Sequence, residues 1–264
     1  MTSDVAGRFA DRPPGLGRAD RAHYNGLHAG CPAIQSSYYR PLGRSKATLL
    51  LDTRRFRAIL RRSCPPSGGR KGTAVNDANR NGRPVVCIFG SYAPRAGNAD
   101  WETAYDLGRS LAAAGYVVAN GGYDGIMEAS AKGAKDAGGT TIGVTCSLFS
   151  PYRKKGRTAN PYIDRQIHHD NVLERIAEMI RMSSGFVVLP GGTGTLSEFA
   201  MTWEYVSKGL IGPRPIFVLG DFWRPMVERM TADRPRSGKC IHLVATVGQI
   251  IELATRTVRP LKPA

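Results

Sequence analysis

From residue 84 onward the chain alternates short apolar runs with longer amphipathic stretches. Val85-Val86-Cys87-Ile88-Phe89-Gly90 is apolar throughout and ends in glycine, the pattern of a parallel strand buried on both faces. Residues 101–114 place Ala104, Leu107, Leu111 and Ala114 on one helical face, and residues 116–119 return to an apolar strand. The unit then recurs, with helices over 124–137, 171–183, 195–208, 222–230 and 247–256 and strands over 140–145, 186–189, 215–219 and 241–245. Strands alternating with helices in this way predict βαβ units. The fold class is therefore α/β: a doubly wound, mostly parallel sheet with helices on both faces. Such sheets place ligands beyond the carboxyl ends of their strands.

Upstream this periodicity is missing. Residues 1–83 hold 16 Lys/Arg against 5 Asp/Glu, so most of the chain's net +16 lies there. They read as a basic, disordered N-terminal extension, with 84–264 as the folded α/β domain. Within the extension, residues 47–62 carry Leu49, Leu50, Leu51, Phe56, Ile59 and Leu60 among arginines, the pattern of a short basic amphipathic helix. Nucleic acid enters as a partner only through this arm, since clustered Lys/Arg neutralise phosphates. No apolar run approaches the roughly 18 residues of a membrane span, and no basic-then-apolar leader opens the chain, so no membrane partner is expected. Cys31, Cys64, Cys87, Cys146 and Cys240 are odd in number and contain no C-x-x-C pair. That spacing argues against a metal centre and for a reducing, cytoplasmic compartment.

Three strand ends carry unusual residues. Gly90-Ser91 follows the first strand, where glycine permits close approach and Ser91 offers a hydroxyl; a plain βα turn reads equally well. Asn120-Gly121-Gly122-Tyr123-Asp124-Gly125 follows the second, where paired glycines bare backbone N–H groups before a helix. Asp124 reads as that helix's cap and Glu128 as a solvated surface residue. The third is the strongest. Phe186-Val187-Val188-Leu189 runs into Pro190-Gly191-Gly192-Thr193-Gly194-Thr195 and then a helix, which brings bared N–H groups, hydroxyls and a helix N-terminus together, as a phosphate requires. It is neither a P-loop nor G-x-G-x-x-G.

Two charged residues admit two readings each. Thr195-x-x-Glu198 fits a capping box, in which Glu198 bonds back to the cap amide, but a carboxylate beside a phosphate turn also suits a site where positive charge develops. Arg175 flanks the apolar stripe Leu173, Ile176, Ala177 and Ile180; it either pairs with Glu178 on the surface or points into a crevice, and spacing alone favours the first. His168-His169-Asp170 reads as a polar helix entry rather than a metal site.

Taken in order, Gly121-Gly122 with Gly125-Ile126-Met127-Glu128, then Glu174-Arg175, then Pro190-Gly191-Gly192-x-Gly194-Thr195-x-x-Glu198 resemble the LOG ("lonely guy") phosphoribohydrolases, often misnamed lysine decarboxylases. The resemblance covers about residues 84–254. It implies a Rossmann-like homodimer with sites near the subunit interface, cleaving a nucleoside 5'-monophosphate, a cytokinin ribotide or AMP, into free base and ribose 5-phosphate. It places the catalytic residues on Arg175 and Glu198 and the phosphate turn on Gly191, Gly192, Thr193, Gly194 and Thr195, with Gly121 and Gly122 in its first motif; the strand-end reading adds Gly90 and Ser91 to the substrate-binding residues. No cofactor is implied, and nothing resembles a pyridoxal phosphate lysine site. The family often has Arg-Lys where this chain has Arg175-Ile176, and two acids where it has Ser197-Glu198. The alternative is a non-catalytic nucleotide or molybdenum-cofactor carrier on the same fold.

Overall fold

The computed structural model describes residues 82–152 and 159–261. The basic arm up to residue 81, with its amphipathic patch at 47–62 and with Cys31 and Cys64, lies outside the described residues.

Among the described residues, seven parallel strands form one sheet in the order β4-β3-β2-β1-β5-β6-β7. They are β1 (Val85–Phe89), β2 (Val117–Asn120), β3 (Thr141–Cys146), β4 (Arg165–His169), β5 (Gly185–Val188), β6 (Ile216–Leu219) and β7 (Ile241–Val244). The helices between them are α1 (Ala99–Ala113), α2 (Ile126–Asp136), α3 (Val172–Met182), α4 (Thr193–Ser207), α5 (Arg224–Ala232) and α6 (Val247–Thr257). The expected architecture is therefore present, and the strand order reverses between β1 and β5, which pair through Phe89 and Val188 at their carboxyl ends.

Alternation along the strands builds two cores. Val85, Cys87 and Phe89 of β1, with Phe186 and Val188 of β5, pack beneath Ile176 and Met179 of α3 and Phe199 and Trp203 of α4. Val86, Ile88 and Val187 face the opposite layer, with Leu107, Leu111, Ile126 and Ile250. In that layer α1 and α2 press together at Gly108 and Gly133, where a Cβ would fall 2.0 Å from a carbonyl oxygen of the other helix. Burial on both faces is why β1 and β5 are so uniformly apolar.

Two expectations need correction. His168 and His169 belong not to a helix entry but to β4, an edge strand registered against β3 with Thr145 opposite His168 and Cys146 opposite His169. Its residues Arg165, Gln166, Ile167, His168 and His169 alternate between half-buried and exposed, and a polar edge strand leaves no apolar run to read. On α3, Leu173 is 67% exposed instead of buried, because the inward face turns through Arg175, Ile176, Met179 and Ile180.

Candidate active site

Helix α3 is fixed at both ends. Asn171 Oδ1 accepts the Glu174 N–H at 2.8 Å at its start. At its end, Arg214 Nη1 donates to the carbonyls of Ile180 and Ser183, both at 2.6 Å. Burial lowers the Arg214 guanidinium pKa to about 10. Between these ends Arg175 points inward and is 5% exposed. The surface pairing with Glu178 does not form; Glu178 pairs with Arg181 instead.

Arg175 divides its donors between two elements. Nε donates to the Val144 carbonyl of β3 at 2.7 Å, and Nη1 donates to Glu198 Oε1 at 2.8 Å. Glu198 lies on α4, whose N-cap is Gly192, so its carboxylate is paired with Arg175 and the capping box with Thr195 does not form. Burial, opposed by Arg175, holds the Glu198 carboxyl above the ordinary glutamate range. Directly beneath, burial pushes the Cys87 thiol far up, and the neighbouring Glu198 charge adds to the effect.

The loop after β2 forms the next wall. Asn120 is fully buried: Nδ2 donates to the Met127 carbonyl at 2.9 Å, and Oδ1 accepts the Gly122 N–H at 2.8 Å. This fold of the loop lays Gly121 against Arg175, where a Cβ would fall 2.0 Å from Nη2. Tyr123 and Phe149 stand over the same guanidinium, each ring centroid 5.7 Å from Cζ. Asn160 closes the outer side, its N–H and Nδ2 donating to the Gly122 and Tyr123 carbonyls at 2.8 and 2.9 Å.

The helix N-termini at this edge of the sheet differ. That of α2 is engaged: the Ile126 N–H donates to the Ser91 carbonyl at 2.9 Å, and Glu128 stands in the first turn. Its N-cap is Gly125 rather than Asp124. That of α4 has no side-chain cap and no acid in its first turn, and a Cβ on Gly192 or Gly194 would meet nothing within 4 Å. The turn before it is anchored: Trp223 Nε1 donates to the Leu189 carbonyl at 2.9 Å, and the Ser91 N–H donates to the Pro190 carbonyl at 3.1 Å. Thr195 is buried against Gly191, while Gly192, Thr193 and Gly194 are exposed. Gly90 is packed against Ile126, and the Ser91 hydroxyl accepts the Ala93 N–H at 3.1 Å. The structure thus brings Arg175, Glu198, Gly121 and Gly122 together, with Gly191–Thr195 at the start of the helix that carries Glu198.

The sequence reading missed Val144, Tyr123, Phe149 and Asn160 as neighbours of the site. Tyr123 followed the paired glycines and was the legible one of the four; a strand carbonyl and a residue from a distant loop leave no local signal. Among the described residues no group of three or more His, Cys, Asp or Glu side chains is placed to hold a metal ion, and no helix is long and apolar enough to cross a membrane.

A family model matches residues 83–249, the span that carries every one of these residues. The chain belongs to the SLOG cluster4 family. This SLOG cluster4 chain is 28% identical over 161 residues to a cytokinin riboside 5'-monophosphate phosphoribohydrolase of Rhodococcoides fascians, covering 59% of this chain and 78% of that protein. It is 36% identical over 125 residues to the enzyme of the same name from Mycobacterium tuberculosis, covering 46% of this chain and 63% of that protein. Among solved structures it resembles the molybdenum cofactor binding protein of Rippkaea orientalis, with a TM-score of 0.52 and 27% identity over 66% of this chain and 96% of that one. In this member the two departures have a physical setting. Ile176 is 2% exposed in the core beneath α3, and Ser197 is exposed, its hydroxyl donating to the Thr193 carbonyl at 2.8 Å.

Proposed function

We propose that this protein hydrolyses the N-glycosidic bond of a nucleoside 5'-monophosphate, releasing free base and ribose 5-phosphate. The observation that carries the reading is the buried, Arg175-paired carboxylate of Glu198 on the helix whose own N-terminus is open and uncapped. Glu198 lies about 8 Å along α4 from that N-terminus. One helix therefore offers an anion site at its start and an anionic side chain further in.

The 5'-phosphate binds the N–H groups of the Gly191–Thr195 turn, favoured by the helix dipole. Anchoring there places the ribose C1' toward Glu198, and binding energy from the phosphate supports the chemical step. As the C1'–N bond lengthens, its electron pair moves to the base and positive charge develops on C1' and the ring oxygen. The Glu198 carboxylate stabilises that charge and accepts a proton from the attacking water, whose oxygen bonds to C1'. The departing base nitrogen takes up a proton from solvent and Glu198 returns its own to solvent, so that one water is consumed in all. Arg175, with two donors already committed to Val144 and Glu198, serves first to keep the carboxylate ionised and oriented. The names of the two relatives support the same chemistry.

The test is base release from AMP and from isopentenyladenosine monophosphate. Turnover that disappears in Glu198→Gln is expected; no base from either substrate, or an unimpaired variant, sinks the reading. The likeness to a molybdenum cofactor binding protein favours a second reading, a carrier that binds its ligand without turnover. Tight binding of that cofactor with no base release would decide for it. The functional unit is a homodimer in this proposal, supported by exposed Leu148 and Leu173 at the carboxyl ends of the neighbouring strands β3 and β4. Leu173→Glu is then expected to yield monomers in light scattering.

A further inference from the structure

We propose that Tyr123 is a positioning residue for the Arg175–Glu198 pair, holding the guanidinium with its ring and, through its hydroxyl, the strand that anchors that guanidinium. Its effect on turnover rests on the hydrolase reading; its effect on the pair does not.

The Tyr123 ring lies 5.7 Å from Arg175 Cζ, within cation–π range, and meets the Phe149 ring edge to face at 5.8 Å. The Tyr123 hydroxyl accepts the Cys146 N–H at 2.8 Å and donates to the Cys146 carbonyl at 3.1 Å. Cys146 ends β3, two residues beyond Val144, whose carbonyl accepts Arg175 Nε. Ring, guanidinium, Val144, Cys146 and hydroxyl therefore form a closed circuit through a single side chain. The Tyr123 backbone cannot swing away from it, because Asn160 Nδ2 donates to its carbonyl and Gly121, two residues earlier, abuts Nη2.

A small displacement of the guanidinium would leave Glu198 buried without its cation. The groups that face Glu198 are Arg175 from α3 and the Cys87 thiol from β1, which burial keeps protonated. Arg175 is the group that lowers the Glu198 pKa, so loosening it raises that pKa. Tyr123→Phe keeps the ring and removes the hydroxyl bridge; Tyr123→Leu removes both.

The experiment follows the Glu198 carboxyl by ¹³C NMR across pH in the wild type and both variants, with Glu198→Gln assigning the resonance. The pH profile of base release is measured beside it. In Tyr123→Phe the carboxyl should titrate about half a pH unit or more higher, and further still in Tyr123→Leu. The acid limb of the rate should move the same way, with kcat about tenfold lower and KM within about twofold. An unmoved carboxyl titration in both variants overturns the proposal, whatever happens to their melting temperatures. If the wild type releases no base from any monophosphate, the hydrolase reading fails while the NMR result still decides the role of Tyr123. If neither variant folds, solvent exchange of the Arg175 Nε–H in the wild type decides instead: slow exchange supports the circuit, and exchange like that of an exposed arginine overturns it.

Discussion

Arg175 and Glu198 meet at 2.8 Å from α3 and α4, the two helices that precede and follow β5, and their side chains are 6% and 11% exposed. A pair so placed is sensitive to the loss of one partner, because the other is left charged and out of water.

Arg175→Met is therefore expected to cost roughly 3–5 kcal/mol of stability. For a domain of this size that lowers the melting temperature by on the order of 10 °C. Arg175→Lys keeps the charge, but one ammonium cannot reproduce the fork that reaches both Val144 and Glu198. It should unfold closer to the wild type and still lose most turnover. Thermal unfolding beside base release separates the two effects.

The pH dependence of activity and that of stability should run in opposite directions. Burial raises the Glu198 pKa above its ordinary 4.5, so turnover through the ionised form falls away with an acid limb above that value. For stability, a carboxyl whose folded pKa is raised contributes fully below its unfolded pKa, and the contribution is lost as pH rises through the folded pKa. Glu198→Gln has no such loss. Its melting temperature should gain on the wild type as pH rises through that window, and a constant gap would show that Glu198 titrates at its unfolded value.

Gly121→Ala and Gly192→Ala make a contrasting pair. The first puts a Cβ 2.0 Å from Arg175 Nη2, and a shift of about 1 Å in such a group can cost on the order of a hundredfold in rate. The second meets nothing within 4 Å. It should fold normally and raise KM for monophosphates, because the new methyl occupies the space assigned to phosphate. Steady-state kinetics on both variants checks this.

Asn120→Ala should act at a distance from the reacting atoms. It leaves the buried Gly122 N–H without its acceptor and takes one donor from the Met127 carbonyl, which keeps the Ser130 hydroxyl, and is expected to destabilise by roughly 1–3 kcal/mol. The loop it shapes cradles Arg175, so kcat should fall more than KM rises. Equal losses in binding and rate would contradict this.

What could be read from the sequence follows from what burial does to composition. β1 and β5 are covered on both faces and read as apolar runs; β4, at the sheet edge, has Ile167 as its single apolar residue and read as something else. Arg175 shows the same limit on a helix. Its spacing to Glu178 made a surface pair the local expectation, because a partner 23 residues away on another helix leaves no trace in periodicity. The order of the glycine motifs and charged residues supplied what periodicity did not. Leu173 failed for the complementary reason: an apolar residue at helical spacing was assigned to the core although it faces outward.

The reversal of strand order between β1 and β5 divides the candidate site between two halves of the chain. Gly121, Tyr123 and the Val144 carbonyl come from the β1–β4 half, Glu198 and the Gly191–Thr195 turn come from the β5–β7 half, and Arg175 rides on the helix that joins them. Neither half alone assembles a charged pair, so a fragment ending before β5 would retain the glycine loop with an arginine that has lost its acid. Recovery of the site on mixing two complementary fragments would then report docking of the half-sheets themselves, which would make the proposed hydrolysis a built-in signal that the fold is complete.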